Sequence, residues 1–319
     1  MNAPEQSVYT LLESDPRLRK FMTRLQQCPD LVAKLQDIST DCTVFAPGDD
    51  ETDPWTGLDG SRDISSLISD LYLPTSALSS FPNVPVRHHS PGLNGLQLLR
   101  TRPIWHPGYG PSYSVDFTSR ITAADLFARN GVVHILDKAP MPLLDIATTL
   151  SALPSASFGI LRRAISICDF KLTGDDAVDL RRGGTFFAPT DAAFQSLGEE
   201  ELRELLQKPS IIRTILLSHW SPNWTLYSNR FYRGADASTT IDAPPGREYP
   251  RPRGKRTFEL PSAASNGAMI AVEVERIEGL IQMKVNERAN ILSADHMCTD
   301  GVVHVVDQLV TPVETAFIK

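Results

Sequence analysis

Cysteine is scarce: four in 319 residues, with no C-x-x-C spacing, which argues against a zinc site built on thiolates. Cys28 and Cys42 fall in the first half and Cys168 and Cys298 in the second, which permits one disulfide per half. The 28–42 pair would close a short loop, and a bridge there or buried free thiols fit the count equally well. Long apolar runs are missing too, so no membrane span is expected. The opening MNAPEQSVYT lacks the charged-then-apolar layout of a secretory signal, and the closing VETAFIK has no tail for a lipid anchor. Either the protein is cytosolic or its targeting segments have been removed. Positive charge is in deficit, 31 Lys and Arg against 38 Asp and Glu, so a general nucleic-acid binder is excluded. No nucleotide loop, paired-carboxylate motif or nucleophile elbow is present, and neither a metal nor a cofactor is expected.

What is present is a globular composition, 41% hydrophobic and 22% charged, at a length that suits two domains. It is also written twice. NGVVHILDKAPMP (130–142) returns as DGVVHVVDQLVTP (300–312), and TVFAPGDDE (43–51) returns as TFFAPTDAAF (185–194). Between them RHHSPG (87–92) matches SHWSPN (218–223), each with a histidine three residues before a proline. Three matches in one order describe a tandem duplication. On this alignment repeat one is longer early, and repeat two carries a long insertion late.

The F-A-P-T strand end, the mid-domain histidine ahead of a proline and the closing N-G-V-V-H-x-x-D strand together resemble the fasciclin domain, in two copies covering nearly the whole chain. The resemblance implies an α+β fold, each copy a wedge of two short β-sheets with packed helices. Residues 1–140 would form a divergent first domain with a shortened late segment. Residues 141–319 would form the second, with a basic insertion at about 225–275. It also implies a secreted or cell-surface protein concerned with adhesion or matrix contact, or, as in related fungal proteins, an accessory factor working beside oxidases in pigment and polyketide pathways.

The residues support that fold. SVYTLLESDPRLRKFMTRLQQC (7–28) and SASFGILRRAISICDF (155–170) carry apolar residues near helical spacing, with a second start at Asp15-Pro16. Ser196 with Glu199 reads as a capping box. VVHILD and VVHVVD read as strands buried on both faces. A histidine in such a strand needs partners for its ring nitrogens. His88 with His134, and His219 with His304, are therefore read as internal structural pairs, with Asp137 and Asp307 accepting backbone N–H groups where the strands end. The connection 138–158 carries Leu143, Leu144, Ile146, Leu150 and Leu153, which predicts domains in contact and not joined by a free linker.

Function is then expected where the copies diverge. IWHPGYGPSYS (104–114) presents Trp105, His106, Tyr109 and Tyr113 among glycines and prolines, a loop suited to an aromatic or sugar ligand. His106, Tyr113 and His89 are its candidate acid–base groups. GDDETDPWTGLDGSRD (48–63) gathers Asp49, Glu51, Asp53, Asp59 and Asp63 without a calcium-loop spacing and reads as a solvated acidic loop. PPGREYPRPRGKRTF (244–258) sets Arg251, Arg253, Lys255 and Arg256 in a basic run suited to an acidic polysaccharide or partner protein. His296 and Cys298 lack an orienting group and read as a turn. Asn223 begins a sequon that accepts glycan only in the secretory pathway. Two functions follow. One is a secreted tandem that binds matrix, wall polysaccharide or a partner protein. The other is an accessory or catalytic protein that binds a small aromatic or polyketide intermediate and steers its coupling, cyclisation or dehydration, alongside a partner such as an oxidase.

Overall fold

A computed structural model describes residues 5–49, 64–78, 82–90, 92–93, 95–106, 110–170, 183–228, 254–264, 268–277 and 280–310. They fall into two compact units, one built from Met1–His89 and Gly95–Pro142, the other from Ser90–Asn94, Leu143–Ala237 and Arg251–Lys319.

The first unit opens with helices α1 (Val8–Ser14), α2 (Arg19–Leu25) and α3 (Pro29–Gln36). Ser7 caps α1, and Asp15 caps a short 3-10 turn at Pro16–Leu18 that leads into α2. Strands β1 (Cys42–Pro47) and β2 (Ile68–Ser69) precede a single helical turn, α4 (Thr75–Leu78). Then come β3 (Asn83–His89), β4 (Leu96–His106), β5 (Gly110–Val115), β6 (Ser119–Ala128) and β7 (Gly131–Leu136). The strand order is β2-β1-β7-β6-β5-β4-β3, with β1 and β7 parallel at its centre. Only two residue pairs join β5 to β6, so the sheet narrows there into two halves, the wedge that the fold requires.

Both faces of β7 are buried because each meets a different core. Val133 and Ile135 join Leu12, Leu18, Phe21 and Leu25 of the helices. Leu136 faces the interior of the wedge with Phe45, Val84, Leu99 and Val115. Gly131 is required where β7 begins, since a Cβ there would lie 2.1 Å from the carbonyl oxygen of Cys42.

The second unit repeats this plan. Helices α5 (Ile146–Ala152) and α6 (Ser155–Ile167) lead to β8 (Gly184–Pro189), then α7 (Asp191–Gln195), α8 (Glu199–Leu205) and α9 (Pro209–Ser218). Strands β9 (Trp220–Pro222), β10 (Gly254–Pro261), β11 (Met269–Ile277), β12 (Leu280–Val285), β13 (Ala289–Cys298) and β14 (Gly301–Val306) complete it. Their order, β10-β11-β12-β13-β14-β8-β9, is the first unit's order strand for strand. The join between β12 and β13 is again two residue pairs. The chain is therefore α+β, two curled sheets each with its own helices.

Several sequence expectations are corrected by the fold. RHHSPG and SHWSPN are not equivalent. Trp220–Pro222 is β9, bonded to β8 through Thr185 and Ser221, and its counterpart is β2, bonded to β1 through Thr43 and Ser69. His88 and His89 instead lie on β3, at the other end of the sheet. A histidine three residues before a proline carries too little information to fix an alignment. Corrected, repeat one is the shorter between its first two strands (48–67 against 190–219), and 254–277 is not inserted, since β10 and β11 match β3 and β4.

Ser196 caps no helix start. It ends α7, its hydroxyl donating to Ala193 O, and α8 begins at Glu199 after Gly198 at φ +91°. The cysteines are all free thiols, which settles the disulfide question. In 138–158, Ile146, Leu150 and Leu153 lie in the second unit's own core, while Leu143 is half-buried and Leu144 exposed.

Candidate binding surface

Each unit contains the same buried polar chain. In the first, the His134 ring stacks on Phe45 with centroids 5.4 Å apart. Its Nδ1 accepts from the Asp125 N–H at 3.3 Å, so Nε2 carries the proton and donates to Leu73 O at 2.8 Å. Asp125, on the left-handed backbone of a bulge in β6 (φ 59°), accepts from Thr75 N at 2.8 Å and Thr75 Oγ1 at 2.5 Å. The second unit repeats it: Asp295 N–H donates to His304 Nδ1 at 3.2 Å, His304 Nε2 donates to Leu226 O at 2.8 Å, and the Asp295 carboxylate accepts from Ser228 N and Oγ. Burial holds the His134 pKa below its ordinary value, its bond to Leu73 only partly compensating. Protonation would also turn Nδ1 against a backbone donor. These rings are bonded to backbone and clamp the segment after β2 or β9 onto the closing strand; no proton is left to offer a substrate.

The expected histidine pairs are not formed in this way. Both ring nitrogens of His219 are also taken by backbone, Nδ1 donating to Ile215 O at 2.9 Å and Nε2 accepting from Val310 N at 3.0 Å. Fully buried, it is held neutral, its pKa lowered to about 4 by desolvation. His88 is half-buried on the edge strand β3. Asp137 accepts from Arg120 N at 2.9 Å and Asp307 from Asn290 N at 2.7 Å, each closing the turn before its neighbouring strand.

The sequence reading missed Asp125. Its signal was present: Ala-Asp at 124–125 and again at 294–295, nine residues before the repeated histidine each time. It missed Asn130 and Asp300 likewise, whose carbonyl and carboxylate oxygens accept the first N–H of α1 (Val8, 2.7 Å) and of α5 (Ile146, 2.8 Å). Asp49 does similar work, accepting from Arg19 N and Lys20 N at 3.0 Å, as Asp191 does from Gly159 N and Ile160 N. Glu51, Asp53, Asp59 and Asp63 lie outside the described residues.

In the aromatic segment, residues 104–106 and 110–114 are paired strands and not a free loop. Thr101, Pro103 and Trp105 alternate on one face of β4, opposite Val115, Tyr113 and Pro111 of β5. Val115 is buried in the wedge core, while Trp105, at the open end of the same face, is 75% exposed. Between them Tyr113 is half-buried, its hydroxyl donating to Thr75 O at 3.0 Å. The core-facing surface thus continues outward as an apolar strip of Pro103, Tyr113, Pro111 and Trp105. His89 does not join it. It pairs with Leu96 at the start of β4, about 30 Å from Trp105 at roughly 3.3 Å per residue. Tyr109 and the His106 side chain lie outside the described residues.

The basic segment is less free than its composition suggests. Lys255 and Arg256 are exposed on β10, but Lys255 Nζ meets Glu273 at 2.7 Å. Arg251 and Arg253 lie outside the described residues. Asn223 follows β9 in left-handed backbone (φ 63°), its Oδ1 buried. Cys298 is buried with its thiol pushed up to about 12 by desolvation and donates to Thr149 Oγ1 and His296 O, while His296 Nε2 lies 2.9 Å from Ser293 Oγ.

A fasciclin-domain model matches residues 171–312. This segment is a fasciclin domain. The first unit repeats its strand order, so the chain is a tandem of two repeats of one strand plan. The tandem is similar to aurofusarin biosynthesis cluster protein S of Gibberella zeae, 24% identical over 341 residues that span 96% of this chain and 77% of that protein. It is also similar to transforming growth factor-beta-induced protein ig-h3 of Sus scrofa, 24% identical over 196 residues, which are 61% of this chain but only 23% of that one. Among solved structures, a FAS1 domain pair from the insect cell adhesion molecule fasciclin I aligns at a TM-score of 0.43 and 18% identity, over 92% of this chain and 97% of that one.

Proposed function

We propose that this tandem acts by binding, as an accessory protein of small-molecule biosynthesis that holds an aromatic intermediate or the enzyme that modifies it. The observation that carries this reading is a contrast. The repeated histidines bond to backbone and the aspartates to backbone and to Thr75 and Ser228, whereas Trp105 stands exposed at the end of an apolar strip. Such a strip supplies aromatic contact area at low entropic cost, with the Pro103 and Pro111 rings fixing its backbone. The biosynthetic setting is favoured over matrix adhesion by coverage: the similarity to a protein named for a biosynthesis cluster runs over nearly the whole chain. A secreted location fits both readings and would make Asn223 a glycan acceptor.

The test is deletion of the gene in its own host, with complementation by wild type and by Trp105→Ala. The reading expects deletion to shift the profile of aromatic metabolites, wild type to restore it and Trp105→Ala to fail. An unchanged metabolite profile on deletion, with altered surface attachment of the cells, would replace it with the adhesive reading.

A further inference from the structure

Strand β10 ends the second unit's sheet, and among the described residues no strand lies beyond it. Gly254, Lys255, Arg256 and Thr257 are all exposed, so both faces of the strand's first half stand clear of the core. An exposed edge of this kind offers a row of backbone donors and acceptors to another strand. Side chains decide which strand it accepts.

Lys255, Thr257 and Glu259 share the outward face, and the charges at its two ends are opposite. We propose that a second copy of this chain pairs antiparallel on the β10 edge, about a two-fold axis through Thr257. In that register Lys255 lies opposite Glu259 of the second copy, and Glu259 opposite Lys255 of the second copy. Opposite charges facing each other across an antiparallel pair are stabilising. Thr257 meets its own copy at the axis, a pairing that threonines support through their hydroxyls. On the other face Arg256 falls opposite Phe258, a cation beside an aromatic ring. Moving the axis one residue back sets Arg256 against Arg256. Moving it one residue forward leaves Lys255 opposite Pro261 and removes both ion pairs. The sequence of the strand therefore selects the partner and the register together. The bond from Lys255 to Glu273 holds the ammonium on this outward face, where the incoming Glu259 arrives.

The test is sedimentation of the full chain over a concentration series at low salt. Wild type is expected to rise from the 35.2 kDa of one chain toward twice that mass. Lys255→Glu and Glu259→Lys, each of which brings like charges together, are expected to stay monomeric, with thermal melts confirming that they fold. The double variant carrying both changes restores the pairing and is expected to associate as wild type does. A wild type that stays at one-chain mass throughout would overturn the proposal, as would single reversals that associate normally or a double variant that fails to recover.

Discussion

Asp295 and His304 meet across β13 and β14, the backbone N–H of the aspartate donating to the histidine's Nδ1 at 3.2 Å, and Asp125 and His134 repeat that contact at 3.3 Å in the other unit. The contact belongs to the clamp that ties the segment following β9, or β2, to the closing strand. Removing the ring leaves Leu226 O and the Asp295 N–H buried without a partner. His304→Ala is expected to destabilise the second unit by about 1–3 kcal/mol, and His134→Ala the first by a similar amount, read as a shift in urea midpoint.

The two glycines that begin the closing strands allow no side chain. A Cβ at Gly301 would lie 2.2 Å from Gly184 O, and one at Gly131 only 2.1 Å from Cys42 O. Both obstacles are backbone of a central parallel neighbour and cannot swing aside. Gly131→Ala and Gly301→Ala are each expected to cost about 3 kcal/mol, the upper end of overpacking penalties, and to lower the thermal midpoint accordingly.

Acid should weaken the second unit through His219. Its pKa is about 4 in the fold against 6.5 for the free side chain, so below pH 6.5 the unfolded chain takes up a proton that the folded one refuses. Stability from this residue is complete above pH 6.5 and declines as pH falls toward 4, by on the order of 3 kcal/mol in all. Urea midpoints at pH 7 and pH 5 measure it; His219→Leu should flatten the difference.

How much of this was readable in the residues follows from how each signal is encoded. The strands VVHILD and VVHVVD were legible because burial on both faces writes itself as an unbroken apolar run. The Asp125 and Asp295 partners were legible only as an Ala-Asp repeated nine residues before each histidine, because their role depends on a bulge that turns a left-handed residue inward, and a bulge leaves no periodic trace. The aromatic segment was recognised for its composition but mistaken in form. Its glycines and prolines suggested a loop, yet Gly110 and Pro111 sit in a paired strand. The Trp105 strip could be found only once that pairing was known, since alternation along β4 decides which side chains share a face.

Thiol reactivity gives an independent check on the cores. Burial pushes both Cys42 and Cys298 up to about 12, while Cys28 and Cys168 are half-exposed. In the native protein at pH 8, iodoacetamide is expected to label Cys28 and Cys168 first, with Cys42 and Cys298 reacting only after denaturant is added. Peptide mass mapping of the labelled sites distinguishes the two classes.

The most direct measurement sets the clamp against the surface: His304→Ala and Trp105→Ala compared in one complemented deletion host, with thermal midpoint and aromatic metabolite profile recorded for each. The expected result is a lowered midpoint with a wild-type profile for any His304→Ala protein that folds, and an unchanged midpoint with a lost profile for Trp105→Ala. A stable His304→Ala protein that had lost the profile, beside a Trp105→Ala protein that kept it, would contradict the assignment and move function into the buried chain.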